Sequence, residues 1–383
     1  MRNSMVPATV AALVLLTASC GSSGGTAIAP RAGRGSPSTV STTSTLPPLA
    51  PLPATEVTSD RRATAALFAG IRADGPGCTV AVARDGKTLF SAAYGLMSLT
   101  DRTPNTPATV MDIGSTSKQF TAYAILMLAA DGKLRLDDDI HTYVPQLPDY
   151  GVKVTLRDMM HHRSGIPDYV NLLSDRINER TTAADALTAL QHAPKLDFAP
   201  GTKFEYSNSN YFLFSYVVPR VAHQSLPSYL QENVFRPAGI HAVMDPVGAV
   251  PHKAPSYTRT NDGRWVPAPS LWEQVGDGAI QTTPTDLVKW ATQYWAPTVG
   301  SPAAQRGRLA DAPPADAKWG EYGAGIGRKT LPDGTVELSH DGGWAGYSTQ
   351  FGVIPAQRLA AAMECNGYPL VAVTAAALLD IWR

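Results

Sequence analysis

The chain has 383 residues, and its 32 Lys+Arg against 32 Asp+Glu give a formal net charge of zero. That balance gives no support to nucleic acid or an anionic surface as the main partner, and a hydrophobic fraction of 44% is that of a globular protein. The length allows one large domain or two ordinary ones; there is no internal repeat and no second long apolar run able to span a membrane.

The first element in chain order is a targeting segment. Arg2 is its basic flank and residues 10–16 are the centre of an apolar core, too short for a comfortable transmembrane helix. The run ends in Leu16-Thr17-Ala18-Ser19-Cys20-Gly21. Small residues before a cysteine resemble the bacterial lipoprotein cleavage site. That resemblance implies that residues 1–20 are a signal peptide of the lipoprotein type and that Cys20 becomes the lipidated N-terminus. Thr17 departs from the Leu, Val or Ile usual at its position. The rival is ordinary secretion, with cleavage after Ala27-Ile28-Ala29 and Pro30 behind the cut. Residues 21–59 are mostly Gly, Ser, Thr, Pro and Ala, which bury too little apolar surface to offset ordering entropy. They are expected to form a disordered tether. Gly21-Ser22-Ser23-Gly24-Gly25 has the spacing of a nucleophile elbow, but no strand precedes it, so it is discarded.

Residues 60–383 are expected to form one folded domain. Residues 61–73 are predicted helical, with Leu67, Phe68 and Ile71 on one face. Residues 78–84 and 87–94 are predicted strands joined by a hairpin turn at Asp85-Gly86. A helix begins at Ser115 and stops at Gly132. Residues 156–161, 183–191 and 226–234 are further helices, and 296–318 is a surface loop. Strands return at 321–329, 335–340, 347–354 and 359–365, and a helix over 371–382 closes the chain. Strands at both ends enclosing a helical middle predict an α+β fold. One antiparallel sheet is built from the two chain ends, flanked by helices, with a mostly helical inserted lobe.

Ser115-Thr116-Ser117-Lys118 puts a hydroxyl and an amine on one turn at a helix start, where the dipole favours a developing oxyanion. Such a turn can make a nucleophile of an ordinary serine. Further on stand Tyr206-Ser207-Asn208 and His340-Asp341-Gly342-Gly343. Each alone has a plain structural reading: a solvated lysine, a core tyrosine, a strand end. In this order, Ser-x-x-Lys, Tyr-x-Asn and basic-x-Gly are far more specific. The chain from about Arg61 to Arg383 resembles the serine penicillin-recognising family: class C β-lactamases, D-alanyl-D-alanine carboxypeptidases and related esterases. The stretches Leu156 to Pro167 and Gly276-Asp277-Gly278-Ala279-Ile280 support the resemblance.

The resemblance implies a β-lactamase/transpeptidase-like fold and a role for each residue. Ser115 attacks a carbonyl and becomes acylated; Lys118 and Tyr206 serve as base and then acid; Asn208 bonds the substrate amide and Lys118. The backbone N–H groups of Ser115 and Gly343 form the oxyanion hole, and Gly342 and Gly343 let the strand edge approach the substrate. His340 departs from the lysine common in β-lactamases and holds less charge at neutral pH. Arg328 is therefore a candidate anchor for a substrate carboxylate, with a solvated strand arginine as the alternative. First and last strands are neighbours in the family's sheet, which implies a Cys78–Cys365 disulfide. His161-His162 is read as structural rather than metal-binding, and Asp341 as pointing away from His340, which argues against a Ser-His-Asp triad. The implied function is an exported serine hydrolase acting through an acyl-enzyme, first as a D-alanyl-D-alanine carboxypeptidase on cell-envelope peptides. β-Lactamase or esterase activity shares the same site, and a non-turnover penicillin or peptidoglycan sensor is the reading of another class. No metal or cofactor is needed. The expected partners are a peptide, β-lactam or ester substrate, with membrane contact only through the lipid anchor, and the expected state is a monomer.

Overall fold

In the computed structural model, which describes residues 53–383, the first described element is helix α1, Ala54–Leu67. The signal peptide, Cys20 and the tether up to residue 52 lie outside the described residues. Residues 54–59, expected in the tether, are helical: Pro53 precedes the first turn, Glu56 sits in that turn, and no glycine interrupts the run. The helix also ends earlier than expected, before Gly70, so that Phe68 turns inward and is buried.

Strands β1 (Cys78–Arg84) and β2 (Lys87–Tyr94) fall where the alternation predicts them, and Asp85 and Gly86 both take positive φ in the turn between. The short strand β3 (Met111–Asp112) leads into the Ser115 turn. Helix α2 (Lys118–Ala130) follows and is buried nearly all round, as its even apolar composition demands. The helical lobe then adds α3 (Leu156–Met160), α4 (Tyr169–Leu172), α5 (Ala183–Gln191), α6 (Asn208–Ala222) and α7 (Leu226–Leu230). Strand β4 (Ile280–Thr282) pairs with β3, and α8 (Pro284–Trp290) follows it. The stretch 296–318 is not all loop: it holds α9 (Pro302–Gly307), where Gly307 abuts Leu126 of α2.

The main sheet is completed by β5 (Glu321–Tyr322), β6 (Gly327–Thr330), β7 (Val336–Trp344), β8 (Tyr347–Ile354) and β9 (Leu359–Cys365). Helix α10 (Ala375–Trp382) closes the chain. The strand expected over 321–329 is split because Gly325 turns with φ 73° and lies against the start of α2; a Cβ there would meet the Lys118 carbonyl carbon at 2.5 Å. β7 runs past His340 and carries Gly342 and Gly343 within the strand.

The seven strands are ordered β5-β6-β7-β8-β9-β1-β2, all antiparallel. Strands β1 and β9, from opposite ends of the folded domain, thus pair within the sheet. Cys78 stands opposite Cys365 in the register and is bonded to it, with Cα atoms 4.0 Å apart. Both faces of β1 are covered: Val80 and Val82 pack with α10 residues such as Leu378, and Ala81 and Ala83 with the helical lobe. Double coverage explains a strand without polar alternation.

One buried row is polar. Glu364 on β9 stands opposite Thr79 on β1 and Thr349 on β8. Neither carboxyl oxygen nor either threonine hydroxyl has a protein partner. Burial raises the Glu364 carboxyl well above its ordinary 4.5, and Asp286 and Asp112 push it the same way. The folded chain therefore holds a proton that the unfolded chain releases above about pH 4.5. The sign follows: stability is full below that pH and falls as pH rises toward the folded value. Glu364→Gln removes this slope. Its melting temperature is expected to gain on the wild type progressively from pH 5 to pH 9; parallel curves would sink the assignment of a neutral carboxyl.

Candidate active site

Ser115 lies on a single 3-10 turn, Gly114–Ser117, that feeds directly into α2. That junction brings the Lys118 ammonium back to the serine, with Nζ donating to Ser115 Oγ at 3.0 Å. The same nitrogen donates to Asn208 Oδ1 at 2.8 Å and to the Asp277 carbonyl at 2.7 Å. Three acceptors use all three protons of a fully buried lysine. Burial draws its pKa down to about 8, against the pull of Asp277, Asp168 and Asp341 toward the charged form.

Tyr206 is held by its ring. It stacks on His162 at 4.2 Å between centroids, and the Lys118 nitrogen lies 4.9 Å over its face. Its hydroxyl is buried without a closed hydrogen bond and has the Ser115 hydroxyl as its polar neighbour. Burial raises the phenol well above 10. Asn208 opens α6, so one helix start supplies a ligand of Lys118.

The β7 edge comes up against this turn. A Cβ on Gly342 would sit 2.0 Å from the Ile113 oxygen, and one on Gly114, where φ is +50°, would sit 2.7 Å from the Gly343 nitrogen. Only glycines permit this approach. Ser115, Tyr206, Asn208 and Gly343 together line a cavity of about 240 Å³. Its lining also includes Tyr169, Trp272, Trp344, Asp112 and Asp277.

Two expected substrate contacts are elsewhere. Arg328 does not line the cavity: its guanidinium pairs with Glu321 at 2.8 Å, beside Lys329 and Thr330 on the outer strands. Its strand position favours a neighbouring strand carboxylate over the distant cleft. His340 lies behind the cavity wall. Its Nδ1–H donates to the Asp341 carbonyl at 2.5 Å, and its Nε2 accepts from the Tyr322 hydroxyl at 2.9 Å. Burial drops its pKa to about 3, so it stays neutral and supplies no charge to a substrate. Asp341 points away and pairs with Lys318 at 2.8 Å, which leaves no Ser-His-Asp arrangement.

The adjacent histidines diverge. His162 Nδ1 accepts from the Ser207 N–H at 3.1 Å, fixing the loop that carries Tyr206, while burial takes His161 down to about 4. Among the described residues no group of three or more His, Cys, Asp or Glu is placed to hold a metal ion.

Several site residues escaped the sequence reading. Asp168 accepts from Asn208 Nδ2 at 2.9 Å, and Tyr169 donates to Asp277 at 2.7 Å. Asp168 and Tyr169 directly follow the Ser164-Gly165-Ile166-Pro167 stretch, and Asp277 lies within Gly276-Asp277-Gly278. Those two short signals were the available pointers.

A profile described as Beta-lactamase matches residues 64–381. Penicillin-binding protein 4* of Bacillus subtilis (strain 168) is 25% identical over 292 residues, covering 71% of this chain and 64% of the relative. A D-aminopeptidase of Brucella anthropi is 30% identical over 220 residues, covering 56% of this chain and 42% of the relative. The chain thus spans less than two thirds of the length of these curated relatives. The octameric penicillin-binding protein homologue from Pyrococcus abyssi superposes with a TM-score of 0.72 at 24% identity, over 82% of this chain and 74% of that one. D-amino acid amidase from Ochrobactrum anthropi SV3 superposes with a TM-score of 0.67 at 18% identity, over 86% of this chain and 98% of that one. These two likenesses concern the fold.

Proposed function

The chain belongs to the Beta-lactamase family, and from that premise we propose an acyl-enzyme hydrolase that prefers amides bearing a free amine beside the scissile carbonyl. Ser115 attacks the carbonyl, and Lys118 with Tyr206 takes its proton and returns it to the leaving amine. The N–H groups of Ser115 and Gly343 receive the oxyanion. Water then releases the acid and restores Ser115.

The observation that carries the preference is the charge of the cavity. It is lined by the Asp112 and Asp277 carboxyl groups, both raised above their ordinary pKa by burial, and by no lysine, arginine or charged histidine of its own. The Lys118 ammonium has all its protons engaged. A carboxypeptidase needs a cation for the terminal carboxylate, and Arg328 and His340 do not supply one. The similarity to a D-aminopeptidase supports the same choice. Penicillin recognition is the second reading, favoured by the similarity to a penicillin-binding protein over 71% of the chain. Export through the N-terminal segment, with Cys20 lipidated, belongs to this proposal. No helix among the described residues is long and apolar enough to cross a membrane.

The test compares D-alanine p-nitroanilide, its N-acetyl form, and an N-acylated peptide ending in D-Ala-D-Ala. The free amine is expected to win in kcat/KM by at least about tenfold, equivalent to about 1.4 kcal/mol. Preference for the peptide with a free carboxylate would overturn the assignment and restore a carboxypeptidase. Intact mass after mixing with a penicillin checks the second reading: a lasting adduct on Ser115 supports it. Solution mass separates the expected monomer from an octamer of the kind named for the Pyrococcus abyssi relative.

A further inference from the structure

The three acceptors around the Lys118 ammonium differ in origin. Ser115 belongs to its own turn, but Asn208 and Asp277 come from segments far along the chain. Both are held from one place. Asp168 Oδ2 accepts from Asn208 Nδ2 at 2.9 Å, and the Tyr169 hydroxyl donates to Asp277 Oδ2 at 2.7 Å. An amide has two ends of like shape and opposite polarity. A carboxylate only accepts, so Asp168 takes the NH₂ end and leaves the carbonyl end for Lys118. The pair is itself anchored. Asp168 Oδ1 accepts from the Val170 N–H at 3.1 Å, and the Tyr169 N–H donates to Ser209 Oγ at 2.8 Å. Ser209 in turn donates to the Pro167 carbonyl at 2.6 Å, which ties the start of α6 back to the residue before the pair.

We propose that Asp168 and Tyr169 form one positioning clamp that sets where the Lys118 ammonium points and how firmly it holds its proton. The clamp rests on the reading of Ser115 as nucleophile and Lys118 as part of its base. Neither residue need touch a reacting atom. Asp168 acts through Asn208 and through its charge, and Tyr169 acts through Asp277.

The charges facing Lys118 decide the direction of the effect. Three carboxylates favour its protonated form: Asp277, Asp168 and Asp341. The rings of Tyr206 and Tyr211 lie 4.9 and 5.8 Å from its nitrogen. His162 and His340 are buried and held neutral. Removing the charge of Asp168 leaves two carboxylates and a looser amide, so Lys118 gives up its proton at lower pH.

Asp168→Asn keeps the size and the oxygen facing Val170. The activity of a base rises with pH as it loses its proton. In Asp168→Asn the acidic limb of kcat/KM is therefore expected to move down by about one pH unit, the usual effect of one neighbouring charge. A small ester substrate should keep its KM within about twofold while kcat falls roughly tenfold, the pattern of a lost transition-state interaction. Tyr169→Phe removes one oxygen and serves if Asp168→Asn does not fold; Asp277 then protonates more easily and the limb moves the same way, by less. A merely structural role lowers stability and activity and leaves the limb in place. Limbs unmoved in the folded variants would overturn the clamp alone. A wild-type chain that a phosphonate ester fails to modify at Ser115, read by intact mass, would overturn the catalytic reading and the clamp with it.

Discussion

Ser115→Ala is expected to lower turnover of any good amide or ester substrate by a factor on the order of 10⁶, the loss seen when a serine hydrolase is stripped of its nucleophile. The geometry leaves no substitute. Lys118 Nζ reaches Ser115 Oγ at 3.0 Å, and the buried Tyr206 hydroxyl has the same oxygen as its neighbour. Among the described residues that line the cavity, Ser115 is the only serine or threonine. Folding should survive, because alanine removes one acceptor from an ammonium that keeps Asn208 and Asp277. The cost to stability is about 1 kcal/mol, the net worth of one hydrogen bond. The measurement pairs turnover with intact mass after a serine-directed electrophile. Wild type should gain one adduct, faster as pH rises toward the Lys118 value of about 8. The variant should gain none and keep its melting temperature within a few degrees. Retention of activity would move the chemistry to another residue and remove the acyl-enzyme from the account.

The frame was legible where local physics decided it. β1, β2, β8 and β9 fall on their expected bounds because β-branched or apolar runs are punctuated by Asp85-Gly86 and by short loops. The pairing of Ser115 with Lys118 was legible because the two share one turn, and no tertiary knowledge is needed to bring them together. Long-range packing hid the rest. α6 escaped notice because Tyr211, Phe212, Phe214, Val217 and Val218 carry weak helix propensity, and Pro219 stands inside it. Burial of that face overrides propensity. His340 looked like a substrate contact because a side chain's direction at a strand end cannot be read from its type. The strand in fact continues, and alternation sends His340 inward toward Tyr322. Arg328 misled for a related reason: Glu321 is its neighbour only because Gly325 folds β5 back on β6. Asp168 and Asp277 act on Lys118 from 50 and 159 positions away, and only the fold brings them to it.

Gly342→Ala is the second large effect, and it separates geometry from chemistry. The new methyl would lie 2.0 Å from the Ile113 oxygen, 2.9 Å from its carbon and 3.2 Å from the Ser115 nitrogen. All three are backbone atoms, on a turn fixed by Gly114 and its bond to Asp112 at 2.8 Å. No side chain can swing aside, so β7 must back away from the Ser115 turn. Overpacking of this kind costs about 1–3 kcal/mol. The same displacement opens the gap between the two N–H groups assigned to the oxyanion, and loss of one such donor lowers kcat by roughly 10²–10³. Stability and kcat should therefore fall together. Gly343→Ala supplies the contrast. Its methyl meets nothing nearer than the Tyr347 oxygen at 3.9 Å, yet Gly343 faces the cavity. That variant should keep its melting temperature and lose kcat/KM through crowding of the substrate alone. Thermal melts beside steady-state kinetics decide the matter. A Gly342→Ala protein as stable and active as wild type would mean that β7 does not press on the Ser115 turn, and the oxyanion assignment would go with it.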